Sequence, residues 1–300
     1  MKRLFILLSV TILLFPAFSF HCFGADTYTL KYNLETGKTY KQSMVTVMNM
    51  KMNVMGQDMN MDMNMEMGFQ YNVIGQNNDV FDIQTTFQKI KMKMSSPMPF
   101  TIDTDSTENS TNKNLGDVFK SLIGVPIDIQ LTQAGKVVSV QGADKLAEKF
   151  DAITNEQYKQ MFGAQFSEKA LQTTFERMSP YFPEKPVAIG DSWDITANIN
   201  SNGVDIISKM KLTLTQVKDN IATMDCSGTL STPEGGAVFQ VQGMDATASI
   251  TGDQTGTIQI DMKTGWIVRS ELSQKFVQNI EVGGQPMQQN IESKTVVTGD

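Results

Sequence analysis

The chain has 300 residues, a formal charge of −7 at pH 7, 40% hydrophobic residues, two cysteines and one histidine. The acidic balance, spread along the chain rather than blocked, excludes nucleic acid as a partner. The scarcity of His and Cys excludes most familiar reaction centres.

Residues 1–24 read as an export signal. Lys2 and Arg3 form the positive end, Leu4 to Phe15 the apolar stretch, and Cys22 to Ala25 a run with small residues near a cleavage point. Cleavage after Gly24 places Cys22 and Gly24 at the positions the peptidase inspects; cleavage after Ala25 would place Phe23 there. Lipid attachment at Cys22 is the alternative, disfavoured by His21 immediately before it. The expected product is periplasmic or secreted. No other apolar run approaches the roughly 20 residues needed to span a bilayer.

The cleaved chain keeps 23 basic against 32 acidic residues, no histidine, and Cys226 alone. Ser/His/Asp and Cys/His nucleophile systems, His-ligated zinc and an internal disulfide are therefore excluded from it. The expectation is a non-catalytic protein with no cofactor. Cys226 lies in the strand-like run ATMDCSGTL, where a lone cysteine is most often a small buried apolar residue.

From Met44 to Met67 methionine alternates with polar residues almost without a break. Period-two alternation puts the methionines on one face of a β-ribbon and Asn, Lys, Asp and Glu on the other. A turn at Gly56 and Gln57 predicts the pairs Met52 with Met61, Met50 with Met63, Met48 with Met65, Met44 with Phe69 and Tyr40 with Val73. In the run from Val80, Phe81, Ile83 and Phe87 share one phase and Ile90, Met92 and Met94 the other, which predicts a bulge between Phe87 and Ile90.

The stretch from Ser95 to Asn114 is rich in turn formers and predicts an exposed, mobile connection. Within it Asp103, Asp105 and Glu108 alternate like cation ligands but lack the glycine and the distal glutamate of a calcium loop, so they read as a solvated acidic loop. The Asn109 sequon carries no assigned function. A short helix follows, with Val118, Phe119, Leu122 and Ile123 on one side and Gly124 with Pro126 ending it.

The main helical region runs from Ala143 to Met178: Leu146, Phe150 and Ile153 at helical spacing, Thr154 with Gln157 as a capping box, then Leu171, Phe175 and Met178. The PYFPEKP run stops it. From Val204 onward strands follow one another, and a turn at Asn202 and Gly203 predicts Ile199 with Ile206, Ile195 with Met210 and Trp193 with Leu212. Asp191 and Asp194 flank that strand's start without any sign of desolvation, so they are no acid/base pair. Tyr40 and Trp193 read as core aromatics, and Trp266, after a glycine turn, as a candidate for a rim.

A faint internal repeat links GKTY at Gly37 to GDSW at Gly190, and IDIQLTQAGKVVSV to IQIDMKTGWIVRSE. The fold class expected is mainly β with a helical insert: two related halves of long, curved antiparallel hairpins forming an open barrel, with the helices packed on the sheet. Residues 25–142 form the first half, 143–183 the helical insert and 184–300 the second half. The first hairpin exceeds the second by seven residues per strand, a Met-rich arm of roughly 24 Å.

The stretch FPEKPVAIGDSWDI, with the earlier GKTY element and an export signal, resembles an uncharacterised family of secreted bacterial β proteins. More loosely, curved antiparallel strands interrupted by helices look like the LolA-type periplasmic lipoprotein carriers, an analogy of fold alone. The first resemblance implies structural glycines, prolines and aromatics and brings no catalytic residue with it; the Met arm is not among its motifs.

A methionine face can be core packing, a lining for a ligand, or a thioether metal site. Thioether side chains are unbranched and polarizable, so they adapt to acyl chains or varied partners. The leading expectation is a surface lined by Met48, Met50, Met52, Met61, Met63 and Met65 that binds a lipid-like ligand, a lipidated partner or an envelope protein. The same six methionines are the candidate copper(I) ligands, since soft sulfurs suit that ion and MxM spacing sets two on one face. A structural cell-envelope module is the third reading.

Overall fold

The computed structural model describes residues 26–300 except 55–56, 97–98, 164–165, 202–203 and 242–243. Everything proposed for residues 1–25, including the cleavage point and Cys22, lies outside them, as do part of the turn placed at Gly56 and Gln57 and both residues of that at Asn202 and Gly203.

The first part of the chain forms Thr27–Tyr28 (β1), Thr39–Val54 (β2), Gln57–Asn77 (β3), Val80–Met94 (β4), Phe100–Asp103 (β5), helix Lys113–Lys120 (α1), Ile127–Thr132 (β6) and Val137–Gln141 (β7). Helices Ala143–Phe150 (α2), Glu156–Gly163 (α3) and Glu168–Arg177 (α4) follow. The rest is strand: Val187–Ala188 (β8), Ser192–Ser201 (β9), Val204–Lys218 (β10), Ile221–Ser231 (β11), Ala237–Val241 (β12), Met244–Asp261 (β13), Ile267–Val282 (β14) and Gln285–Gly299 (β15).

Thirteen of these strands make one antiparallel sheet in the order β7-β6-β4-β3-β2-β15-β14-β13-β11-β10-β9, with β5 on β4 and β12 on β13. The sheet is not closed into a barrel. Helix α4 packs against both β7 and β9, the two ends of that order, so the sheet curls far enough for one helix to occupy the seam. Curling demands close approach between neighbouring strands, and glycines supply it. A side chain at Gly228 would run into the Lys209 carbonyl, one at Gly252 into Phe276, and one at Gly256 into the Glu271 carbonyl.

The helices cover one face of β3, β4, β6 and β7. Phe119 on α1 packs edge-on against Phe150 and Phe162, with ring centroids 5.6 and 5.1 Å apart, and Phe69 on β3 packs against Phe87 and Phe175. These pairs fill the main core, into which Leu115, Leu122, Leu146 and Ile102 are also fully buried. A smaller core of Ile199, Val204, Ile206, Leu230, Ala237, Ala248 and Ile250 lies at the far ends of β9 to β13, backed by Phe276 and Ile280.

The second hairpin has the predicted register: Ile199 faces Ile206, Ile195 faces Met210 and Trp193 faces Leu212. The bulge is also where the alternation breaks, because Phe69 faces Phe87 while Gly68 faces Lys89, leaving Gln88 as the extra residue.

Three expectations are corrected. In the first hairpin Val54 faces Gln57, so every partner lies two positions earlier than predicted; Met50 faces Met61 and Tyr40 faces Tyr71. Two is the strand period, so the slip changes partners without changing faces. The first hairpin therefore outreaches the second by about six residues per strand, roughly 20 Å, rather than seven.

Residues 100–104, within the stretch expected to be an exposed connection, are packed instead, since Phe100, Ile102 and Thr104 alternate into the core at 3%, 0% and 1% exposure. The turn formers between them dominate its composition and hide that alternation. Helix α3 is capped by Asn155, whose Oδ1 accepts from the Tyr158 N–H at 3.2 Å; the Gln157 side chain of the expected Thr154 box lies outside the described residues.

Two backbone patterns recur. Gly37 donates to Val73 O at 2.8 Å and Val73 donates to Lys38 O at 3.0 Å; Gly190 donates to Leu214 O at 2.7 Å and Leu214 donates to Asp191 O at 3.0 Å. Both glycines have positive φ, at 83° and 99°. Likewise Thr132 donates to Lys136 O and Gln133 to Asp79 O, while Asp261 donates to Trp266 O and Met262 to Asn220 O.

Candidate functional site

Opposed residues share a face, so the ladder sorts every strand side chain into a covered or an outward set. On β2 to β4, β9 to β11 and β13 to β15, the covered set contains no Asp, Glu, Lys or Arg among the described residues. The outward set carries Lys51, Asp58, Lys93, Lys211, Asp253, Lys275, Glu292 and others. A lipid-facing barrel wall has the reverse arrangement, apolar side outward. This sheet turns its charges to water.

Within the arm, Met44 faces Met67, Met48 faces Met63, Met50 faces Met61 and Met52 faces Met59, four direct thioether pairs on the covered face. Met65 faces Thr46 and Met92. On the outward face Asn49 donates to Asp62 at 2.6 Å and Asn53 to Asp58 at 2.8 Å, each a directly opposed pair. These polar contacts favour the observed register over its neighbours.

The face changes character along its length. Met44 is buried, and Met61, Met65 and Met67 lean on the main core. Met63 is half-buried and faces the core residue Met94, while Met48, Met50, Met52 and Met59 are half-buried without packing on that core. Of the six residues expected to line a site, Met61, Met63 and Met65 therefore double as core flank and Met48, Met50 and Met52 form the surface beyond.

The methionine face continues onto the carboxy-terminal strand. Met50 faces Ile291, which faces Phe276, and Met48 faces Ser293, which faces Gln274. Gln289, opposite Met52, donates to the Met287 sulfur at 3.8 Å. A chain of hydrogen bonds crosses the covered face: Ser293 donates to Gln274 at 3.3 Å, Gln274 to Gln254 at 3.1 Å, and Gln254 to Ser208 at 2.7 Å. Gln254 and Ser208 are buried at 2% and 4% exposure, so these amides satisfy one another.

Sequence reasoning missed Ile291 and this chain. The alternation in β15 marks Ile291 as an inward residue, yet nothing local says that β15 pairs with β2.

The other candidate groups are structural. Trp266 is buried, stacks on Tyr40 at 4.9 Å and donates its indole N–H to Lys41 O at 3.3 Å, so the expected rim position is corrected to core. The Trp193 indole donates to Tyr181 O. Asp191 accepts from the Ala188 N–H, and Asp194 is exposed on the outward face. Cys226 is buried, and burial together with nearby Asp225 pushes its thiol up to about 11.

Asp105 and Glu108 of the acidic run are exposed in the turn after β5, as expected of a solvated loop, while Asp103 ends β5 and is largely covered. Lys91 lies 3.0 Å from Asp105 and 3.2 Å from Asp103, and Lys89 lies 2.6 Å from Glu66. Hydrogen bonds to Asp105 and then Asp103 raise the Lys91 ammonium above its ordinary range. Among the described residues no group of three or more His, Cys, Asp and Glu is placed to hold a metal ion, and no helix is long and apolar enough to cross a membrane.

With this geometry in place, a family model matches residues 78–267, well over half of the chain. The chain belongs to DUF6263, a family of unknown function. The DUF6263 match begins after β3, so the methionine arm lies outside it. No curated protein matches the chain.

Among solved structures, an outer membrane channel from Pseudomonas putida F1 is 6% identical over 90% of this chain and 97% of that one, with a TM-score of 0.22. The translocator domain of the autotransporter NalP from Neisseria meningitidis is 6% identical over 89% of each, with a TM-score of 0.23. A mutant porin of Rh. blastica is 6% identical over 88% and 100%, with a TM-score of 0.21. These likenesses are too slight to bear on the fold.

Proposed function

We propose that this DUF6263 protein is an extracytoplasmic, non-catalytic binding protein whose methionine arm receives a lipid-like ligand. The observation that carries the reading is the charge-free, half-buried thioether face projecting past the helix-covered core, continued by Ile291 and Phe276. Apolar burial drives such binding at about 25 cal/mol per Å² before ordering costs, and unbranched thioethers let the wall adjust to chains of different shape. The Ser293, Gln274 and Gln254 chain keeps the polar groups of the covered face satisfied among themselves, so the adjoining face stays apolar toward a ligand.

A fluorescent fatty acid tests this directly. Saturable binding should survive replacement of Met48, Met50, Met52, Met61, Met63 and Met65 by Leu, a nearly isosteric change, and should fall at least about tenfold with Met50→Asp and Met61→Asp. Binding unaffected by the aspartates would place the ligand elsewhere.

The direct opposition of four methionine pairs supports copper(I) as the second reading, because two soft sulfurs then meet across the ladder at each step. Copper(I) uptake would fall steeply in the Leu variant, which keeps the Met44 and Met67 pair alone, and would vanish once Met44, Met59 and Met67 are replaced as well, the opposite of the lipid outcome.

The recurrent turn patterns also support two related halves flanking residues 143–183. In this reading β2, β3, β4, β6 and β7 correspond in order to β9, β10, β11, β13 and β14, and β15 joins the halves at the middle of the sheet. The export signal and the lipoprotein-carrier analogy fit the same picture of an envelope protein.

A further inference from the structure

The arm places many thioethers where an oxidant can reach them, while other methionines of the same chain are sealed. Met48, Met50, Met52, Met59, Met61 and Met63 are partly exposed, whereas Met92, Met178 and Met224 are 6%, 3% and 0% exposed. Sulfoxidation needs access to the sulfur lone pair and turns an apolar side chain into a strong hydrogen-bond acceptor. On this face such an acceptor finds few donors. The neighbours are other methionines, Ile291 and Phe276; the Ser293 hydroxyl already donates to Gln274, and the Gln289 amide opposite Met52 is engaged with the Met287 sulfur.

We propose that the arm is an oxidation-responsive site, in which two-electron oxidants of the peroxide class convert its half-exposed methionines to sulfoxides and thereby release the arm's cross-strand pairing. In each event the thioether sulfur attacks one peroxide oxygen. A sulfur–oxygen bond forms as the O–O bond breaks, the sulfur loses two electrons, and the second oxygen leaves as water. Opposed pairs concentrate the effect, because one event at Met50 or Met61 sets an S=O dipole directly against the remaining thioether. Sulfoxide is reversible by methionine sulfoxide reductases, so the change can act as a switch rather than damage.

The proposal concerns the same face as the binding reading but needs no ligand. Its test uses the full chain treated with limiting hydrogen peroxide, followed by peptide-resolved mass spectrometry and amide hydrogen exchange. Sulfoxide should accumulate at Met48, Met50, Met52, Met59 and Met63 at least about tenfold faster than at Met224. Exchange across residues 44–67 should rise while that of β10 and β11 stays unchanged, and reductase treatment should restore it. Equal oxidation of arm and core methionines overturns the proposal, as does arm sulfoxide without faster exchange.

Replacing Met48, Met50, Met52, Met59 and Met63 by Leu should leave a much smaller exchange response to peroxide; a full response in that variant also overturns the switch, an outcome read without any ligand and so distinct from failure of the binding reading.

Discussion

Cys226 shows how far a single residue can be read from its neighbours. Its strand-like setting marks a small buried apolar group, and it is buried on β11 with the thiol pushed up to about 11 by burial and Asp225. At pH 7 to 8 almost no thiolate forms, so a thiol reagent should label the native protein at least about a hundredfold more slowly than the unfolded chain, checked by mass after quenching.

Tyr71 was less legible, because its hydroxyl is buried without a hydrogen-bond partner among the described residues, beside a cavity of about 20 Å³ that only tertiary packing creates. Tyr71→Phe should raise the denaturation midpoint by removing an uncompensated polar group, by about 1 kcal/mol; a fall would mean that water in the cavity satisfies the hydroxyl.

Asp261 carries a pH dependence. Burial opposes its charge, but hydrogen bonds from Thr264, Lys263 and Asn220 outweigh it and hold the carboxyl below its ordinary range. A depressed folded-state value means stability present above the unfolded carboxylate pKa and lost as pH falls through the lower, folded value. Asp261→Asn should therefore flatten the acid limb of the stability curve, and an unchanged limb would count against this assignment.

At the scale of elements, alternation identified both faces of the arm, the bulge at Gln88 and the whole second-hairpin register. It did not fix the first register, because a face made of one residue type looks the same after a two-residue slip. What selects the register lies on the outward face, in Asn49 with Asp62 and Asn53 with Asp58. Disulfide trapping reads this out: Met50→Cys with Met61→Cys should oxidise to a crosslink, whereas Met50→Cys with Met63→Cys should not. The reverse result would restore the predicted pairing. The error at β5 has a different origin, since two inward residues among many turn formers vanish in any measure of composition.

Across the whole molecule, a β-rich chain with a helical insert was legible from periods of 2 and 3.6 and from the proline-rich stop after Met178. The pairing of β15 with β2, which carries the methionine face across the centre of the sheet, was not, because it joins residues over 200 apart with no shared local signal. The seam filled by α4 is likewise a product of curvature. That curvature rests on the covered-face glycines. Gly228→Ala should cost about 3 kcal/mol, seen as a lower denaturation midpoint, since its side chain would meet the Lys209 backbone rather than a movable side chain.

The central claim is that the projecting thioether face holds an apolar ligand. Native mass spectrometry of the full chain, exported in a bacterial host and recovered from the periplasm without detergent, tests it most directly. The account predicts adducts of lipid mass that are lost in the Met50→Asp, Met61→Asp variant; a bare protein mass under gentle ionisation, or adducts indifferent to that variant, would contradict it.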